Sequence, residues 1–299
     1  MGRLHGMGII DANGIQLCFE TFGDPTDPAV LLVNGFTTQM TGWDAEYCHH
    51  IAARGRFVIR YDNRDVGFSS HLDGQTASLA EVVAARQGLG AMPLLPYTLS
   101  DMAADGMGLL TALGIERAHI VGASMGGMIV QTMAIEHPTR VLSLTSIMSN
   151  TGNPEFGSST PEANAILMRP PSSDRETYIE DGASGRKVWS SPRYFDIEDE
   201  RARLAVDFDR MFYPEGAGRQ FIAIVGSLSR EDGLRSLAVP TLVIHGRADT
   251  LITLSGGERA AELVPGANLM VLNDMGHDLP RPLWPVILDA IISHQHHAV

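Results

Sequence analysis

Short apolar runs recur along this chain with helix-like stretches between them, and that alternation limits the fold more than any other feature. Ala29–Val33, Phe57–Tyr61, residues 119–122, Val141–Ile147, residues 239–246 and Asn268–Leu272 read as strands. The run 29–33 has no polar break, as expected of a strand covered on both faces. Ile15–Phe22 alternates apolar and polar residues before the turn Gly23-Asp24-Pro25. Helical patterns fall at 43–53, 98–113, 125–137, 257–264 and 283–294. Ser100 or a neighbour caps the second of these, Gly114 closes it, and Pro138 ends the third. Strands alternating with helices imply a mostly parallel, doubly wound sheet with helices on both faces.

The alternation breaks twice. Residues 72–97 are rich in Gly, Leu and Pro around one short helical pattern at 78–87, and read as an insertion over one edge of the core. From 150 to 235, Gly, Ser and Pro give way to mixed-charge helical pieces, with no buried-strand signal. The expected organisation is a core in two parts, 1–149 and 236–299, with a mainly helical cap inserted at 150–235. Length and composition agree with a globular body: 299 residues, 44% hydrophobic and 19% charged, exclude wholesale disorder. A formal charge of −13 disfavours a sequence-independent grip on nucleic acid. Two cysteines, Cys18 and Cys48, build no multi-bridge framework and suit a reducing compartment. No run reaches the roughly 18 apolar residues of a membrane span, and the opening Met1-Gly2-Arg3-Leu4-His5-Gly6 lacks the apolar core of a leader. The expectation is a soluble, cytoplasmic protein.

In open sheets of this kind, sites form beyond the carboxyl ends of the strands. Beyond the strand at 119–122 lies Gly122-Ala123-Ser124-Met125-Gly126-Gly127, followed by a helix. Gly-x-Ser-x-Gly between strand and helix is a nucleophile elbow. The glycines let strand and helix approach, and Ser124 is left at the tip in strained geometry. The N–H of Met125 opens the helix and can donate to a developing oxyanion. A phosphate loop is excluded, since neither Gly-Lys-Ser/Thr nor G-x-G-x-x-G is present.

A serine hydroxyl needs a neighbouring base. Of eleven histidines, His277 lies between the last strand and the last helix, at the sheet end where Ser124 should sit. His245 reads as a buried turn histidine, His49 and His50 as helix surface, and His294, His296 and His297 as a terminal cluster without a native metal. The acid is expected between serine and base in the chain. Asp249, just past the strand at 239–246, fits, and Glu155 is too far along its loop to compete. A second oxyanion donor is expected after 29–33, in Asn34-Gly35-Phe36, from the Phe36 N–H.

These segments, with Asp62-Asn63-Arg64-Asp65-Val66-Gly67-Phe68-Ser69, Gly246-Arg247-Ala248-Asp249 and Gly276-His277, resemble the α/β-hydrolase superfamily. They stand in its order Ser…Asp…His and span nearly the whole chain. The Asn34–Trp43 and Asp62–Ser70 stretches resemble capped carboxylesterases, including the methylesterases that tailor polyketide antibiotics such as aclacinomycin. The resemblance implies the α/β-hydrolase fold and ester hydrolysis through an acyl-enzyme, with no cofactor. Two positions depart from the family pattern. Asn34 replaces the histidine that orders the oxyanion loop, and Asp65 replaces a glycine in the turn after 57–61, which Arg64 is expected to brace. Serine at the elbow argues for acyl chemistry, since the related dehalogenases and epoxide hydrolases carry aspartate there. A thioesterase, a lipase-like enzyme, a carbon–carbon bond hydrolase, an acyl transferase or a non-catalytic ligand receptor would use the same scaffold. The expected substrate is a small apolar ester, contacted by Trp43, Phe36, Trp189 and Phe212, with Phe195 and Tyr213 as further aromatic candidates.

Overall fold

The chain enters its sheet through a hairpin. β1 (Gly6–Ala12) and β2 (Ile15–Phe22) pair antiparallel, with Ala12 opposite Ile15, across the two-residue turn Asn13-Gly14. Both turn residues have positive φ, 50° and 78°, the backbone that Asn-Gly favours in a two-residue hairpin loop. β1 lies outside the strands expected from the sequence. It is an edge strand with Gly6 and Gly8 in it and Met7 and Ile9 exposed, so no apolar run marks it; Asn13-Gly14 is the signal that does. The computed structural model describes residues 6–298, and residues 1–5, on which the leader reading rests, lie outside the described residues.

Then follow β3 (Ala29–Val33), α1 (Ala45–Ala52), β4 (Phe57–Tyr61), α2 (Leu79–Arg86), α3 (Leu99–Ala112), β5 (Ala118–Ala123), α4 (Met125–Glu136) and β6 (Val141–Ile147). Between β6 and the next strand lie α5 (Pro161–Leu167), α6 (Arg175–Arg186), α7 (Ile197–Arg210), α8 (Glu215–Gly226) and α9 (Glu231–Arg235). β7 (Thr241–Gly246), α10 (Ser255–Leu263), β8 (Asn268–Leu272) and α11 (Trp284–His296) close the chain. Local chemistry sets the ends. Asp44 caps α1 and Ser78 caps α2. α3 starts from Thr98, whose side chain forms a reciprocal capping box with Asp101; Ser100 instead bonds Glu136 from within the helix. β7 begins at Thr241 because Pro240 has no N–H to donate, although its carbonyl still accepts from Leu144.

The eight strands run in the order β1-β2-β4-β3-β5-β6-β7-β8, and every pair from β4 to β8 is parallel. The strand pattern divides the core as period two requires. Leu31 faces α3 and α4, while Val30 and Leu32 face α1 and α11, where Trp43, Tyr47 and Trp284 gather. The side on which successive strands are added reverses at β3, flanked by β4 and β5, so the loops after the parallel strands β3 and β5 emerge side by side. That juxtaposition is the switch point at which such sheets hold ligands. α2 packs on α8, so the 72–97 segment meets the helical insertion. Among the described residues, no helix is long and apolar enough to cross a membrane.

Candidate active site

β5 ends in a turn too tight for side chains. A Cβ on Gly126 would lie 2.1 Å from the Val33 carbonyl oxygen, and one on Gly122 would lie 2.1 Å from that of Gly126. These backbones cannot give way, so strand, turn and helix close on one another only through glycine. Gly126→Ala should lower stability by about 3 kcal/mol, read as a shift in the urea midpoint; an unchanged midpoint would show that the turn has slack. Ser124 sits at the apex with φ 57° and ψ −121°, a strained conformation for a residue with a Cβ. Its N–H donates to Ile147 O, and its carbonyl accepts from Ser149 Oγ at 2.8 Å. The Met125 N–H opens α4, where a helix has no acceptor of its own for it.

The loop after β3 runs beside this turn. A Cβ on Gly35 would come within 3.1 Å of Ser124 Cβ. Buried Asn34 donates from Nδ2 to the Gln39 carbonyl at 2.9 Å, and its own carbonyl accepts from Asn63 at 3.0 Å. The amide thus pins the loop from within. Phe36 lies half-buried, edge-on to Phe221.

The third loop, after β8, carries His277. Its Nδ1 lies 2.7 Å from Asp249 Oδ2. A carboxylate can only accept there, so Nδ1 is the donor, and in the neutral imidazole the lone pair lies on Nε2. Asp249 follows β7 and is buried. Its Oδ1 accepts from Leu251 N and Ile252 N at 2.9 Å each. Burial pushes this carboxyl upward, but His277 and His245 outweigh it and hold it below the ordinary aspartate value. One oxygen shapes the turn and the other faces the imidazole.

Sequence reasoning missed the company that these residues keep. His245, fully buried, directs Nε2 to the Ile252 carbonyl at 2.8 Å and stands 3.5 Å from Asp249 Oδ2. Two imidazoles therefore share one carboxylate oxygen; the spacing His245-x-x-x-Asp249 was the available signal. The loop of His277 is gripped from the insertion. Its N–H donates to the Trp189 carbonyl, Gly276 N donates to Ser191 Oγ, and Asp278 accepts from both the N–H and the hydroxyl of Ser191. Asp65 is braced by Arg219 of α8, through Nε at 2.9 Å and Nη2 at 2.8 Å; Arg64 pairs instead with Asp105 of α3, at 2.6 Å.

Ser124, His277, Phe36, Met125, Trp43, Trp189 and Phe212 all border one cavity of about 2040 Å³ between the strand ends and the insertion. Asp249 stands behind His277, out of the cavity. Trp43 reaches that wall from the core, stacked on Tyr47, and Phe212 stacks on Phe208. Tyr213 also lines the cavity but is stacked on His71 and bonded to Asp73 and Arg219. The volume exceeds the roughly 300–1,000 Å³ of ordinary ligand pockets.

Residues 28–280 match the model of the alpha/beta hydrolase fold family. Among curated proteins, a rhodomycin D methylesterase from a Streptomyces species is 27% identical, covering 96% of this chain and 97% of its own length. A 3-oxoadipate enol-lactonase of Acinetobacter baylyi is 26% identical over 91% of this chain and 90% of its own. Among solved structures, a meta-cleavage product hydrolase of Pseudomonas fluorescens superposes with TM-score 0.75, at 21% identity and 98% coverage of both chains; at that identity the likeness speaks for the fold.

Proposed function

This chain belongs to the alpha/beta hydrolase fold family, and from that premise we propose that it hydrolyses carboxylic esters with Ser124 as nucleophile, His277 as base and Asp249 as the acid that orients it. The observation that carries the reading is the 2.7 Å contact of His277 Nδ1 with Asp249, made by a histidine that shares its cavity with Ser124. That contact fixes the tautomer able to take a proton from a hydroxyl.

The reaction follows from these positions. Ser124 Oγ bonds to the ester carbonyl carbon while His277 Nε2 takes its proton. The carbonyl electron pair moves to oxygen, and the N–H groups of Met125 and Phe36 donate hydrogen bonds to that oxyanion. His277 then protonates the departing alcohol oxygen as the carbon–oxygen bond breaks, leaving an acyl-enzyme. Water, deprotonated by the same nitrogen, bonds to the acyl carbon, and the bond to Ser124 Oγ breaks as His277 returns the proton to that oxygen, releasing the acid. No metal or cofactor enters. Residues 150–235 act as a cap that roofs the cavity, with Trp189 and Phe212 among its contacts. The cavity's size and its aromatic walls favour a bulky aromatic acyl part. Likeness to a methylesterase along the whole chain favours a small alkoxy leaving group, methanol first.

The test is direct. A fluorophosphonate probe should add one phosphonyl group, localised by mass spectrometry to the peptide containing Ser124, and methyl esters of polycyclic aromatic acids should release methanol. No labelling together with no turnover of any ester or thioester would overturn the reading. Thioesters cleaved in preference to their oxygen esters would keep the three residues and change the substrate class.

A further inference from the structure

The oxyanion loop is held from outside the sheet, by one residue of the insertion. Gln220, on α8, is completely buried, yet its amide makes two hydrogen bonds, both to backbone. Its Oε1 accepts from the Thr37 N–H at 2.8 Å, and its Nε2 donates to the Arg64 carbonyl at 2.8 Å. One side chain therefore joins the loop after β3 to the turn after β4. Its neighbours fix it in place. Arg219 makes the two-pronged ion pair with Asp65. The first turn of α8 lies so close to that aspartate that a Cβ on Gly216 would be 2.0 Å from its carbonyl oxygen. Phe221 meets the Phe36 ring.

The peptide that Gln220 grips is the one next to the Phe36 N–H. Thr37 has φ 55°, a backbone that a threonine adopts only when its surroundings impose it. The Phe36 carbonyl, at the other end of that peptide unit, accepts from the hydroxyls of Thr37 and Thr38, at 2.8 and 3.1 Å. With both ends held, the unit cannot rotate, and the Phe36 N–H on its other side keeps one direction. Lost to an apolar side chain, the Gln220 bond would leave the half-covered Thr37 N–H facing an apolar group in place of its acceptor, and the loop would turn to satisfy it.

We propose that Gln220 is a positioning residue for the oxyanion loop, so that seating α8 on the core and aiming the Phe36 N–H are a single event. The inference rests on the assignment of Phe36 N–H as an oxyanion donor made above. It makes the site competent only when the insertion is docked.

Gln220→Met keeps the volume and removes both hydrogen bonds. With p-nitrophenyl acetate, kcat should fall about 10- to 100-fold, less than the 10²–10³ that follows loss of a donor itself, while KM stays within about threefold. A trifluoromethyl ketone forms a hemiketal with Ser124 whose alkoxide occupies the oxyanion site. Its affinity should fall by the same factor as kcat. Unchanged kcat and ketone affinity in a folded variant would overturn the proposal, as would a fall in kcat that leaves ketone affinity intact. A second measurement needs no variant. In the wild-type protein, residue-resolved hydrogen exchange should show the Thr37 amide protected far beyond an open loop, and free exchange there would equally overturn it. Wild-type protein inactive on every ester would instead mark failure of the hydrolase reading, and the exchange result would still decide whether Gln220 holds the loop.

Discussion

Replacement of Ser124 by alanine is expected to lower kcat for a methyl or p-nitrophenyl ester by about 10⁴- to 10⁶-fold, the range seen when the nucleophile of a serine triad is removed. The backbone makes this a clean experiment. Ser124 N–H and carbonyl bond to Ile147 and Ser149, and both bonds are made by the backbone, which alanine keeps. Alanine keeps the Cβ that the strained φ of 57° already accommodates. The fold and thermal midpoint should therefore stay close to wild type, and fluorophosphonate labelling should vanish. Residual turnover of about 10³- to 10⁴-fold over water is compatible with the remaining oxyanion donors. A variant that labels at the wild-type rate would remove Ser124 from the chemistry altogether.

Asp249→Asn should cost about 10⁴-fold in kcat with little change in KM. The argument is one of tautomers. The turn demands an acceptor for the N–H groups of Leu251 and Ile252, so an asparagine would place its oxygen there and its NH2 toward His277. The imidazole, facing a donor, would move its proton to Nε2, the atom that must accept one from Ser124. His245, 3.5 Å from the same oxygen in the wild type, cannot stand in for the lost carboxylate, because an imidazole carries no negative charge and its Nε2 is engaged with the Ile252 carbonyl. A drop of less than tenfold would mean that another carboxylate orients His277, and the nearest along its own loop is Asp278, already held by Ser191.

Much of the architecture was legible because its determinants are local. Ala29–Val33, Phe57–Tyr61, Val141–Ile147 and Asn268–Leu272 form strands over just those residues; in Ala29–Val33 the unbroken apolar run marks a strand buried throughout. β1 escaped for the converse reason: it has one neighbour and two exposed apolar side chains, so its pattern carries no burial signal. The turn after β4 was half legible. Asp65 demands a cation, and adjacency pointed to Arg64, but the left-handed backbone of Asp65 (φ 64°) and the seat of α8 bring Arg219 to it instead. Nothing in a residue's neighbours reveals which of many arginines arrives from 154 positions away.

The sequence alone determined the alternation of strands and helices and the glycine-framed serine at a strand end, because period, turn chemistry and the lack of a Cβ act over a few residues. Tertiary structure alone decided that two imidazoles meet one oxygen of Asp249, that Ser191 holds the loop of His277, and that Gln220 reaches the Thr37 N–H across 183 residues. Those partners are chosen by where whole elements pack and by the demand that every buried donor and acceptor find a mate, and neither condition is written in any short stretch of chain.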